Sequence, residues 1–312
     1  MLNNTASAKA LVISTIMIAP MASLAQTAPT IDGTVSVSTT ATQFDGSNFR
    51  LYAFNVVTDI NFSEKFSIGF DLDQGRQSFD NGPTLNMSRV QIEPTWTFEN
   101  DAYLGAYLQT ASTNFSFASV TIDNVGIFGG YNQERWSVEA YLGQSSTEFS
   151  LPDRLEVRNA GLTFVASPTE KLEFFGHYAR AEIKNSGGAG DITLSAIGTE
   201  YDFGNGIMSY ASAGTFEFNI AGDSKATHMA IGGGAQLSEI GLEAPGMLTV
   251  ELAKTDYGFG VEQTQVTVGW VIGIGNGNVT PLNGIARIAR GGIRGPFIGG
   301  IGAFGVAGGF AG

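Results

Sequence analysis

Apolar and polar residues alternate with a period of two over most of the chain, in long segments separated by clusters of turn-forming residues. In the segment 89–98, for example, apolar side chains stand at Val90, Ile92, Trp96 and Phe98, with mainly polar residues between them. Successive side chains of a strand point to opposite faces of its sheet. The pattern therefore predicts strands with one apolar and one polar face.

The alternating segments predict fourteen strands, an even number, with twelve to sixteen as the range that merging or splitting of short segments would allow. They lie at 33–43, 48–61, 66–76, 87–99, 102–112, 115–131, 135–147, 155–166, 171–184, 191–203, 206–219, 226–237, 247–257 and 262–275.

Strand length separates two architectures that share this alternation. Strands of a soluble β-sandwich average about five or six residues, whereas a tilted strand needs roughly ten to cross a bilayer. Most of the predicted strands reach that length. The chain is therefore predicted to be all-β, an antiparallel transmembrane β-barrel over residues 26–275, with a sandwich or a solenoid as the alternative. No repeat of fixed period supports a solenoid.

The N-terminus has the layout of a secretory signal peptide, which we assign to residues 1–25. Lys9 precedes the apolar run 10–19, and Ser23 and Ala25 fit a cleavage site of small residues. Together with the predicted barrel, this export signal indicates the Gram-negative outer membrane.

The remaining 287 residues carry 29 acidic and 15 basic side chains. This acidic balance argues against nucleic acid as a partner, because phosphates require a basic surface. Charged residues form 14% of the chain, against about 25% in typical soluble proteins. The absence of cysteine is compatible with a barrel closed by backbone hydrogen bonds.

Connections of two lengths alternate along the sequence, which predicts tight periplasmic turns at one end of the barrel and longer outer loops at the other. The longer ones are expected at 77–86, 148–154, 185–190 and 220–225. Both ends of the strand array then lie on the periplasmic side. The 77–86 loop is the best candidate for a loop folded into the channel.

These features together resemble the Gram-negative outer-membrane porin superfamily. The resemblance rests on architecture over residues 26–275 and not on a motif. It implies diffusion of small hydrophilic solutes through a water-filled lumen, contact with outer-membrane lipid, insertion by the barrel assembly machinery and, in some members, oligomers. Such barrels usually end in an aromatic residue, whereas Phe310 lies two residues before the end of this sequence.

Inward-facing polar residues would set the selectivity of such a lumen. The predicted pore-lining residues are mostly acidic, which predicts a mild preference for cations; the alternative is that they only fill a narrow barrel with ion pairs and hydrogen bonds. They are Asp71, Asp73, Arg89, Gln91, Glu93, Glu139, Glu173, His177, Glu200 and Glu251.

Neither catalysis nor a bound metal is predicted. The sequence has two histidines, His177 and His228, and neither belongs to a motif with a nucleophile. The sequence from Asp71 to Gly75 resembles the start of a calcium loop but lacks the acidic ligand at the twelfth position. We expect no cofactor.

The segment 276–312 is rich in glycine, with 11 glycines in its last 29 residues. Arg287, Arg290 and Arg294 lie near its start, and the 18 residues from 295 onward carry no charge. Three interpretations stay open: a disordered or lumen-occupying extension, a membrane-associated packing segment, or a product of a shifted reading frame. A lumen-occupying tail would favour a second function, a structural or adhesive barrel that is not a channel.

Overall fold

The chain forms a single closed barrel in a computed structural model, which describes residues 28–44, 47–79, 82, 84–114, 119–148, 155–185, 188–219, 223–258, 260–277, 279–291 and 294. Every strand pairs antiparallel with its neighbours in sequence, and the last strand pairs with the first. The predicted all-β barrel of fourteen strands is confirmed. The strands are β1 (Thr30–Phe44), β2 (Ser47–Ser63), β3 (Phe66–Phe79), β4 (Thr84–Thr97), β5 (Ala102–Asn114), β6 (Ser119–Gln133), β7 (Trp136–Glu148), β8 (Leu155–Thr169), β9 (Leu172–Asn185), β10 (Gly188–Gly204), β11 (Ile207–Asn219), β12 (Asp223–Gln236), β13 (Met247–Asp256) and β14 (Glu262–Ile274).

The two faces of the sheet differ in chemistry as the alternation predicts. On β13, Leu248, Val250 and Leu252 point outward and are exposed, whereas Thr249 and Glu251 point inward and are buried. Exposed apolar side chains of this kind recur around the outer wall. A closed sheet leaves no unpaired strand edge, so a barrel with such an outer face is suited to a lipid bilayer.

The exposed apolar side chains form a belt around the outer wall, and this apolar belt lies closer to one end of the barrel. We call that end the terminal rim because β1 begins and β14 ends there. Aromatic rings meet at this rim, including Phe66 with Trp96 and Tyr131 with Trp136, whose ring centroids are 6.2 and 5.7 Å apart. Rings of this kind are typical of the level of the lipid headgroups. We call the opposite end the loop rim.

The strands extend further toward the loop rim than the sequence predicts. Gln77 pairs with Leu85, so that only 80–83 connect β3 to β4. The predicted constriction loop at 77–86 is therefore wrong, and the other predicted outer loops are shortened in the same way. Between the apolar belt and the loop rim the outward residues are polar. The alternation of apolar and polar residues is therefore lost there, although the strands remain paired. The longest connection between strands is 237–246, at the terminal rim.

Glycine allows aromatic rings to lie against the inner wall. The ring of Tyr107 on β5 covers Gly126 on β6 and Gly143 on β7, and a Cβ atom at Gly143 would overlap the tyrosine hydroxyl. That hydroxyl donates a hydrogen bond to Asn159 on β8 over 3.1 Å. One side chain thus ties together four strands of the wall.

Replacing this glycine by alanine should destabilise the barrel. Gly143→Ala is expected to lower the free energy of unfolding by about 1–3 kcal/mol, the usual cost of overpacking, as measured by urea unfolding in lipid vesicles. The matched control is Gly75→Ala, where the new methyl would meet mainly the flexible end of Met87. Equal losses in both variants would contradict the role given to Tyr107.

The predicted signal peptide, residues 1–25, lies outside the described residues. In the part of the chain that the structure describes, no helix is long and apolar enough to span a membrane. A short helix, α1 (Gly284–Ala289), follows the last strand. It belongs to the segment predicted as a glycine-rich tail.

Candidate functional site

Helix α1 lies inside the barrel and packs against its inner wall. Ile285 and Ile288 are at most 1% exposed, and the two alanines of the helix are equally buried. They join a cluster with Phe175, Leu194 and Tyr210, and the helix contacts β9, β10, β11 and β12. The inner wall therefore has an apolar side that holds part of the C-terminal segment.

Small residues of the wall make room for this segment. A Cβ atom at Gly214 would lie 3.2 Å from a methyl of Ile285, and one at Gly234 would lie 3.1 Å from Pro281. Ala179 and Ala196 belong to the same buried cluster. The wall is thus recessed where the segment approaches it.

Two aspartates on β3 and two arginines form a charged cluster, which we call the aspartate cluster, opposite this apolar side. Arg89 on β4 pairs with both Asp71 and Asp73. The guanidinium of Arg287 donates to Asp73 over 2.9 Å, to Asp71 over 3.1 Å and to the side-chain oxygen of Asn55 over 2.5 Å. Two cations therefore balance two anions, which stabilises charges that lie away from bulk water.

Five inward-facing glutamates lie near the terminal rim, and we call them the glutamate ring. Each is within five residues of the end of its strand at that rim. Those on β9 and β10, Glu173 and Glu200, are direct cross-strand partners. Like charges this close repel one another, so the ring attracts cations. Its members are Glu93, Glu139, Glu173, Glu200 and Glu251.

Two further arginines of the C-terminal segment reach this ring. Arg290 Nη2 donates a hydrogen bond to one carboxylate oxygen of Glu173 over 3.1 Å, and its Nε lies 2.9 Å from the other oxygen as an ion pair. Arg294 Nη2 donates to both oxygens of Glu139 over 2.9 Å, and its other terminal nitrogen contacts Glu93. The guanidinium of Arg294 also lies 3.8 Å from the ring centroid of Phe128, a cation–π contact.

A chain of hydrogen bonds links the aspartate cluster to the glutamate ring. Arg89 donates to Gln91 over 3.0 Å, and Gln91 donates to Glu93 over 2.6 Å. Gln91 also bonds Gln109, which bonds Asn124. Because each of these groups holds its neighbour, the charged side of the lumen is a connected network.

The two histidines link adjacent strands. His177 on β9 shares a hydrogen bond of 2.9 Å with Thr163 on β8, and its ring stacks on Tyr141. His228 on β12 shares a bond of the same length with Thr255 on β13. Within the described residues, no group of three or more His, Cys, Asp or Glu side chains is placed to hold a metal ion.

All ten residues predicted to line the lumen face inward. Seven of them take part in the aspartate cluster, in the hydrogen bonds of Gln91 or in the contacts of the glutamate ring with arginine. Glu251 instead accepts a hydrogen bond of 2.6 Å from Tyr210. Their predicted role in selectivity stays a prediction. The seven are Asp71, Asp73, Arg89, Gln91, Glu93, Glu139 and Glu173.

The sequence did not predict what these carboxylates bind. In the sequence, Arg287, Arg290 and Arg294 are only cations near the start of the glycine-rich segment, and no local pattern pairs them with the acidic wall. Their spacing of three and four residues, together with the excess of inward-facing carboxylates, is the signal that would have suggested it.

No family model and no curated protein matches this sequence. Among solved structures, the chain is similar to an anion-selective porin from Comamonas acidovorans, with 13% identity, a TM-score of 0.50, and coverage of 79% of this chain and 99% of that one. It is also similar to a loop L8 deletion mutant of OmpT, an outer-membrane protein of Vibrio cholerae, with 10% identity, a TM-score of 0.50, and coverage of 78% and 100%. The chain therefore has the fold of the outer-membrane porins.

Proposed function

We propose that the protein is an outer-membrane channel for small hydrophilic solutes, with a lumen narrowed by its own C-terminal segment. The observation that carries this proposal is a closed barrel with an apolar outer belt and an inner wall lined by charged and amide side chains. Such a wall forms hydrogen bonds with water and hydrated solutes, which an apolar lumen would exclude.

A preference for cations follows from the balance of charge among the residues of the site. Seven carboxylates of the aspartate cluster and the glutamate ring face four guanidinium groups. Glu200 and Glu251 account for part of this excess of negative charge. The field along the lumen is therefore negative, and cations enter it more readily than anions.

Planar-bilayer recording tests both statements. The refolded protein is expected to give small stepwise increases in conductance, and a KCl gradient should give a reversal potential of the sign that favours K⁺. Heat-modifiable migration on a denaturing gel checks that the barrel is folded. A reversal potential that favours Cl⁻ would contradict the cation preference, and a folded protein without steps would contradict an open channel.

The second candidate is a barrel that is not a channel and has a structural or adhesive role. It is favoured by the burial of α1 and by the three arginine contacts across the lumen. For this candidate the folded full-length protein gives no conductance steps at any applied voltage.

A further inference from the structure

Three carboxylate sites of the inner wall already bind guanidinium groups. The sites belong to different strands: Asp71 and Asp73 lie on β3, Glu173 lies on β9, and Glu93 and Glu139 lie on β4 and β7. Each takes one arginine of the C-terminal segment. The wall therefore carries three cation sites on different strands around the lumen, and the arginines of one short segment reach all of them.

The geometry of these sites fits guanidinium better than ammonium. Each arginine uses two of its nitrogens. Arg290 places Nε and Nη2 against the two oxygens of Glu173, Arg294 divides its terminal nitrogens between Glu139 and Glu93, and Arg287 divides its own between Asp71 and Asp73. These are the forked contacts of a planar guanidinium, which a lysine ammonium cannot reproduce. The Phe128 ring below Arg294 adds a stacking contact that also favours arginine.

The occupant of the sites is not part of the sheet. Helix α1 is held in the lumen by apolar packing and by side-chain ion pairs. Displacing it would leave the fourteen-strand ladder intact. Any solute that passes through the lumen meets the same carboxylates.

We propose that these carboxylate sites recognise the guanidinium groups of solutes as well as those of the chain, so that arginine-containing cationic peptides are a substrate class of this barrel. The proposal rests on the channel function proposed above. The peptide exchanges with the C-terminal segment: its arginines occupy the carboxylates while the arginines of the segment leave them. No covalent step is involved.

The test uses the full chain and a full-length variant with Arg287→Gln, Arg290→Gln and Arg294→Gln. The probes are a peptide with the sequence of residues 284–294 and the same peptide with lysine at its three arginine positions. In the variant, the arginine peptide should interrupt the current at a concentration about tenfold lower than the lysine peptide does. In the wild-type chain, whose own arginines compete, a higher concentration of the arginine peptide is required.

The outcomes separate the two proposals. A conducting variant that responds equally to both peptides, or to neither, overturns guanidinium recognition and leaves the channel function standing. If neither protein conducts, or if the variant does not fold, the channel experiment is replaced by titration calorimetry of the wild-type chain in detergent. Tighter binding of the arginine peptide by about tenfold then supports the sites, and equal binding overturns them.

Discussion

Removal of residues 284–312 is expected to raise the single-channel conductance several-fold. Helix α1 and three arginine side chains lie inside the lumen, and Arg294 reaches the glutamate ring where the acidic side chains converge. Without them the cross-section widens, and the carboxylates lose three of their four cationic partners. Cation preference should therefore increase together with conductance. Planar-bilayer recording in symmetric and graded KCl measures both quantities.

A variant of unchanged length separates charge from occlusion. Arg287→Glu, Arg290→Glu and Arg294→Glu together place carboxylates against an acidic wall, so repulsion should expel the segment and reproduce most of the gain. The matched control is Arg180→Gln on the outer wall, which pairs with Asp191 and should leave conductance unchanged. If both lumen variants fold, as judged by heat-modifiable migration, and conduct like the wild type, the segment does not narrow the channel.

Replacement of Arg89 is expected to cause the largest loss of stability of any single charged side chain in the wall. Its side chain is 5% exposed and pairs with Asp71 and Asp73 while donating to Gln91. Arg89→Ala leaves two carboxylates with Arg287 as their remaining partner in the cluster. Breaking a buried pair in this way costs about 3 kcal/mol. Urea unfolding in vesicles, followed by tryptophan fluorescence, measures the loss.

The control for this prediction is an ion pair on the opposite face of the sheet. Arg180 pairs with Asp191 over 3.1 Å, but its side chain is 52% exposed. Arg180→Ala should therefore change the free energy of unfolding by less than about 1 kcal/mol, the usual value of an exposed pair. Similar losses in both variants would show that burial does not decide the contribution of Arg89.

The strands were predictable because each one shows, within its own sequence, the alternation of apolar and polar residues. A side chain on β13 such as Val250 must face lipid and its neighbour Glu251 must face the lumen, so parity along the chain assigns both. The loop at 77–86 was not predictable in the same way. Toward the loop rim the outward residues of β3 and β4 are polar, whereas Leu85 is buried on the inner face, so the pattern of apolar outward and polar inward residues does not continue to the paired Gln77 and Leu85.

Parity gives the face of a residue but not its height in the barrel. The sequence placed Glu93, Glu139 and Glu173 on the inner face, yet their common level near the terminal rim depends on the register of many strand pairs. The arginine partners of these glutamates are even harder to predict, because they lie far away in the sequence. Arg294 lies 155 positions from Glu139, and no local pattern relates two such residues. The excess of inward-facing carboxylates and the close spacing of the three arginines are the features of the sequence that indicate that they belong together.

The connection 275–283 between β14 and α1 also sets how the segment responds to its surroundings. A ligand tethered by a short linker meets its site at an effective concentration on the order of millimolar, whatever the amount of protein present. A soluble cation with one guanidinium group must reach a comparable concentration before it displaces Arg287 or Arg290. A molecule that carries several such groups engages several sites at once and needs far less. The barrel would then respond to the valency of a solute more steeply than to its size.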